Sequence, residues 1–201
     1  MAIALAYGAV ILIWSTTPLA IHWSNSDLDF ISAISARIVL AALLGIALFT
    51  VMRWRLIEKR SDWLQFAAGA LGLFPTMLMV YWAAQRVPSG LMSVIFGLFP
   101  FWAGLGSLWI LKQSVFTPLK IVALSVAVCG LTIINYDQLH DGIGSALGVA
   151  AIVLATICWS LSSVLLKALP AIAPLRQSIG SCVLAAPLFA IVWGAGAEEV
   201  P

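Results

Sequence analysis

Apolar residues in this chain run in long unbroken blocks, separated by short polar stretches, rather than alternating or marking one helical face. Seven blocks stand out, at residues 2–21, 30–52, 63–84, 89–111, 118–136, 143–166 and 176–196. Each matches the roughly 17 to 25 residues with which a helix crosses about 30 Å of hydrocarbon. Helices that are apolar all round have no face to give to water, so the pattern predicts membrane spans. The connections are too short to hold a soluble domain. The first block has no Lys or Arg ahead of it and no small-residue cleavage site behind it, so it reads as a retained span and not a signal peptide.

Residues 81–102, YWAAQRVPSGLMSVIFGLFPFW, organise the rest. One apolar block ends, a polar corner runs from Gln85 to Ser89, and a second block begins. Ser89, Ser93 and Gly97 lie four apart, beside a stripe of Met92, Phe96 and Pro100. Small residues let helices approach closely in lipid, and a proline bends a helix around a cavity. The hairpin is therefore expected to line a working cavity.

Composition removes the soluble alternatives. Of 201 residues, 63% are hydrophobic and 9% charged, where a soluble domain has about a quarter charged. The few charges are sorted. Arg53, Arg55, Lys59, Arg60, Lys112, Lys120, Lys167 and Arg176 fall in loops on one side, while the opposite loops hold Arg86 and six of the acids: Asp27, Asp29, Asp137, Asp141, Glu198 and Glu199. The positive-inside rule makes the basic side cytoplasmic and places the N-terminus inside. No basic cluster suggests nucleic acid as a partner. Cys129, Cys158 and Cys182 lie in apolar blocks without C-x-x-C spacing, so neither disulfides nor thiolate metal sites are expected.

Two echoes suggest a duplication. Trp14-Ser15 in the first block recurs as Trp159-Ser160 in the sixth, and the ALF ending at Phe49 recurs as PLF ending at Phe189. A repeat unit of five spans is odd-numbered, so its two copies would insert in opposite orientations, the inverted repeat of many secondary transporters. The predicted fold is thus all-α and integral to the membrane, with about seven transmembrane helices. Residues 1–136 form a five-helix repeat and residues 143–201 the first two helices of a second, three helices short of a full copy.

In that order, WSTTPLAI in the first span, SARIVLAALLG in the second, YWAAQRVPSGLMSVIFGLFPFWAGLGSLWIL across the third and fourth, AVCGLTII in the fifth and CWSLSSVLLK in the sixth resemble EamA-type transporters of the drug/metabolite transporter superfamily. The resemblance covers nearly the whole chain. It implies a ten-helix, two-repeat carrier of small metabolites, often coupled to protons, in a bacterial plasma membrane. Where that family commonly has a Gly-Glu pair at the cytoplasmic end of span four, this chain has Lys112-Gln113, so no carboxylate role carries over.

Ten residues are candidates for contact with substrate: Trp14, Ser15, Arg37, Tyr81, Gln85, Met92, Phe96, Pro100, Trp159 and Ser160. Arg37 lies about 10 Å into its span at 1.5 Å per residue. Burial there costs near 3 kcal/mol on insertion scales. It either holds an anionic group or snorkels to the interface. The two Trp-Ser pairs supply rings and hydroxyls for an amphipathic wall, or pack helices with the serine bonding back to its own helix. Tyr81 and Gln85 sit at the outer mouth, as substrate contacts or interfacial anchors. Pro18, Pro75 and Pro100 each remove a backbone donor inside a span and invite a bend. His22 and His140 fall in outer loops without metal-ligand spacing, and no phosphate loop, Ser-His-Asp set, zinc motif or cofactor-binding motif is present. An enzyme is not expected. The sequence therefore predicts a secondary carrier working by alternating access, with a small metabolite and the bilayer as partners. The alternative is a non-transporting, truncated subunit or remnant that pairs with a second copy or another membrane chain.

Overall fold

The computed structural model describes residues 5, 7–13, 16, 29–113, 115–134, 136 and 146–196, and the described residues contain helices and no strand. Residues 7–13 are helical. The elements that follow are α1 (Phe30–Val51), α2 (Asp62–Leu71), α3 (Thr76–Ala84), α4 (Ser89–Phe96), α5 (Phe99–Ile110), α6 (Pro118–Ile134), α7 (Ala146–Ala168) and α8 (Pro174–Gly196). Five stretches among the described residues are long and apolar enough to cross a membrane: Phe30–Val51, Asp62–Ala84, Ser89–Ile110, Ala146–Ala168 and Pro174–Ala195. Of the fifth block the described residues include α6, shorter than those five, and the helical Tyr136, and the first block lies largely outside the described residues.

Two of the five are not continuous helices. The third span is α2 followed by α3, with tight turns between them at Gly72–Pro75. The fourth is α4 followed by α5, broken at Gly97 and Leu98. Both breaks fall near the middle of their spans, where hydrocarbon offers no partner to a freed backbone group. The chain supplies partners itself. Gly72, Leu73 and Phe74 donate their N–H groups to Gly69 and Ala70 carbonyls at 2.7–3.0 Å. Pro75 cannot donate to Leu71 four residues back, and the Thr76 hydroxyl fills that carbonyl at 3.0 Å. At the second break Gly97 donates to Ser93 at 3.0 Å and Leu98 to Ile95 at 3.0 Å. Pro100 sits in the first turn of α5, a position where a helix tolerates the missing N–H.

Helix α7 is the hub, packed against α2, α3, α4 and α5. Helix α8 packs on α1 and α2, α1 also touches α3, and α6 touches α4. The contact pairs give the directions. Along α1 and α8, Trp193 Nε1 donates to Ser32 Oγ at 3.0 Å, Ser35 Oγ donates to the Phe189 carbonyl at 3.2 Å, and Gly45 abuts Ile179. Numbers rise on one helix as they fall on the other, so the pair is antiparallel. Small residues create the close approaches. A Cβ on Gly69 would lie 2.2 Å from Ser181 Oγ, and one on Gly97 would lie 2.8 Å from Leu131 Cδ1. The expectation that Gly97 serves close packing is met on α6.

One end of the bundle carries the bases. Arg53 and Lys112 end α1 and α5 with left-handed φ of 55° and 52°. A cation there favours the negative helix terminus, although glycine would adopt the conformation with less strain. At the same end Arg176 pairs with Glu58 and lies 3.9 Å from Asp62. The Asp62 carboxylate accepts from the Glu58 and Lys59 amides at 2.9 and 3.0 Å. Buried Gln65 donates to the Leu166 and Pro170 carbonyls at 3.3 and 2.9 Å, closing orphan acceptors at the end of α7. Arg176 is 12% exposed and Glu58 54%, so the two ends of this pair are unequal. Arg176→Ala leaves Asp62 without its cation and is expected to cost about 1.5–3 kcal/mol, whereas Glu58→Gln should cost about 0.2–1 kcal/mol. Thermal unfolding of both variants in nanodiscs, at low and high salt, checks the ordering.

Candidate functional site

The two broken spans meet on one stretch of α7. Ser162 Oγ donates to the Ala68 carbonyl at 2.6 Å and lies against Gly72, where an added Cβ would stand 2.7 Å away. Two residues earlier, Ser160 Oγ reaches the Phe99 carbonyl at 3.2 Å and its own helix's Thr156 carbonyl at 2.7 Å. One serine thus sits against the break in the third span, and the other against the start of α5 just past the break in the fourth. Trp159 presents its ring edge-on between them and the hairpin, 6.0 Å from Phe96 and 5.4 Å from Phe99. Ser160 is fourteen residues past the start of the 23-residue α7, close to its midpoint. The meeting place is therefore near mid-membrane.

The ten sequence candidates do not gather at a single point. Trp159, Ser160 and Phe96 join at this junction. Met92 lies one turn before Phe96 on α4, and both pack against the apolar cluster of Ala83, Val87, Ile95 and Ile152. Pro100 is exposed in the first turn of α5. Tyr81 and Arg37 form a second group on the other side of α3. Arg37 Nη1 donates to the Tyr81 hydroxyl at 3.2 Å, and Tyr81, 1% exposed, packs with Ile34, Ile38, Ala185 and Phe189. Gln85 is exposed at the corner, where its Oε1 accepts from Arg86 at 3.4 Å. Arg86 stacks over the Trp82 ring at 4.0 Å. Trp14 and Ser15 lie outside the described residues, as do Pro18, His22 and His140.

Sequence reading missed Ser162, Thr76 and Gly72, which make the third-span side of the junction. The signal for Ser162 is the run Ser160, Ser162, Ser163, which the Trp-Ser echo does not include. Nothing in the periodicity marks which carbonyl a serine will meet on another helix. Among the described residues no three His, Cys, Asp or Glu side chains come together as a metal-binding group.

The arrangement brings aromatic edges and the polar groups of two interrupted helices together near the centre of a polytopic α-helical membrane protein, with the Ser160 and Ser162 hydroxyls bonded to carbonyls of those helices. Discontinuous helices near the midplane recur in membrane carriers, where they form binding sites. The family model for the EamA-like transporter family matches residues 1–136, 136 of the 201, and the chain belongs to that family. Comparison with curated proteins and with solved structures gives no match.

Proposed function

We propose that the chain is a secondary carrier that moves a small polar or amphipathic metabolite across the plasma membrane by alternating access around the α7 junction. The observation that carries this reading is the convergence of two mid-span breaks on Ser160 and Ser162 of α7. Breaks at that depth are tolerated where they line a cavity or are sealed by protein, and a pair of them on one helix gives two spans that can bend about a common point. The antiparallel packing of α1 on α8, second span against seventh, supports the inverted-repeat reading, with residues 1–136 as one copy and 143–201 as the beginning of the other. On the positive-inside rule the end bearing Arg53, Lys112 and Arg176 faces the cytoplasm. The driving force proposed is the proton gradient, and the role proposed is transport without catalysis.

Purified protein in liposomes with an imposed pH gradient tests this. Accumulation of a labelled solute from a metabolite panel, collapsing on addition of a protonophore, is the expected result. Folded, inserted protein that gives no flux for any solute overturns the carrier reading and favours a subunit that needs partner helices.

A further inference from the structure

Arg37 is placed unlike the other bases. Seven residues inside α1, it shares an exposed face with Leu40, Leu44 and Leu48, which step along the helix at three- and four-residue intervals. A cation on such a face ordinarily runs its stem to the interface. This one instead turns its head onto α3, giving Nη1 to a phenol that is almost wholly buried. No carboxylate lies within ion-pair distance of it among the described residues, where Arg176 holds the ion pairs. The Tyr81 oxygen accepts from Arg37, and its own hydroxyl proton has no acceptor among the described residues. The pair therefore offers the unused edge of an exposed guanidinium, held in place by a buried phenol. Tyr81 is five residues past Thr76, so the pair stands about 7–8 Å along α3 from the break at 1.5 Å per residue. It lies between the junction and the end that carries Arg86.

We infer that Arg37 and Tyr81 form an oxyanion subsite and that the carried solute bears a carboxylate. The inference rests on the carrier reading for its second half only. A single guanidinium edge fits the two oxygens of a carboxylate, and one positive charge balances one negative charge. A phosphate dianion would remain undercompensated. Tyr81 acts through Arg37, fixing the guanidinium by accepting from Nη1 at 3.2 Å.

The test is protection of Arg37 from phenylglyoxal, read by mass spectrometry on full-length protein in phosphatidylcholine nanodiscs, with benzoate as probe and benzamide as its neutral counterpart. Benzoate should slow modification of Arg37 by about tenfold at about ten times its dissociation constant, by mass action. Benzamide should not, and exposed Arg86 should react equally in all samples. Tyr81→Phe should weaken the protection by benzoate while Arg37 still reacts. An Arg37 that does not react in free protein, that reacts equally with and without benzoate, or that is shielded only when phosphatidylglycerol replaces phosphatidylcholine overturns the inference; the last result assigns the site to a lipid headgroup. Flux of a neutral solute in liposomes with Arg37 unprotected would sink the subsite and leave the carrier standing. Protection by benzoate without flux of any solute would do the reverse.

Discussion

Gly180→Leu is expected to lower the stability of the folded chain more than any other single change at a helix contact. A Cβ at that position would lie 2.3 Å from two ring carbons of Phe66 and 2.6 Å from a third. Phe66 cannot swing aside, because its ring is buried and meets the edge of Trp63 at 5.9 Å. Either α8 lifts off α2 or the ring leaves its rotamer. Overpacking of this kind costs about 1–3 kcal/mol for small additions, and a leucine should fall at or above the upper end. Gly130→Leu is the control, since nothing stands within 4 Å of its Cβ position. Thermal unfolding in nanodiscs should separate the two variants clearly, and equal midpoints would mean that α8 does not pack on α2 as described.

Trp159→Ala is expected to have the largest effect on transport. The ring meets Phe96 of α4 and Phe99 of α5 edge-on, so it joins both halves of the broken fourth span to α7. Each such contact contributes about 0.5–1.5 kcal/mol beyond the area it buries. If the junction is the binding site, loss of this wall should reduce kcat/KM by at least about tenfold, equivalent to 1.4 kcal/mol. Trp159→Phe keeps an aromatic ring and should recover most of the activity. An alanine variant that transports at the parent rate would remove Trp159 from the substrate path and leave it a packing residue.

Span positions were readable because a membrane helix needs only length and apolarity, and both are local properties of the sequence. The sorting of Arg53, Lys112 and Arg176 to one end was readable for the same reason, since loop charge needs no tertiary information. Pro75 marked its break correctly, whereas Pro100 marked a site two residues past its own, because a proline is accommodated within the first turn of the helix that follows. Pro187 lies inside α8, which remains helical on both sides of it. A proline therefore signals a missing donor, and neighbouring packing decides whether a break results.

The candidate site was legible in kinds of residue but not in grouping. Trp159, Ser160 and Phe96 meet as a set, yet Arg37 and Tyr81 belong to a separate cluster across α3. Which helix a side chain faces depends on inter-helix register, and in spans apolar on all sides the sequence has no stripe to reveal it. Ser162 and Gln65 carry no such mark, and Arg176 reads from the sequence only as a loop base. Each takes its meaning from a partner distant in sequence: Ala68 for Ser162, Pro170 for Gln65 and Glu58 for Arg176.

Alternating access requires the junction on α7 to open to each side of the membrane in turn. Ser163 adjoins it, half-buried, with its hydroxyl bonded to the Trp159 carbonyl at 3.1 Å. The measurement is labelling of Ser163→Cys by a membrane-impermeant maleimide in oriented vesicles, after Cys129, Cys158 and Cys182 are replaced by alanine. Modification is expected from the inside and, in separate samples, from the outside. A residue reached from one side only, or from neither, would contradict it.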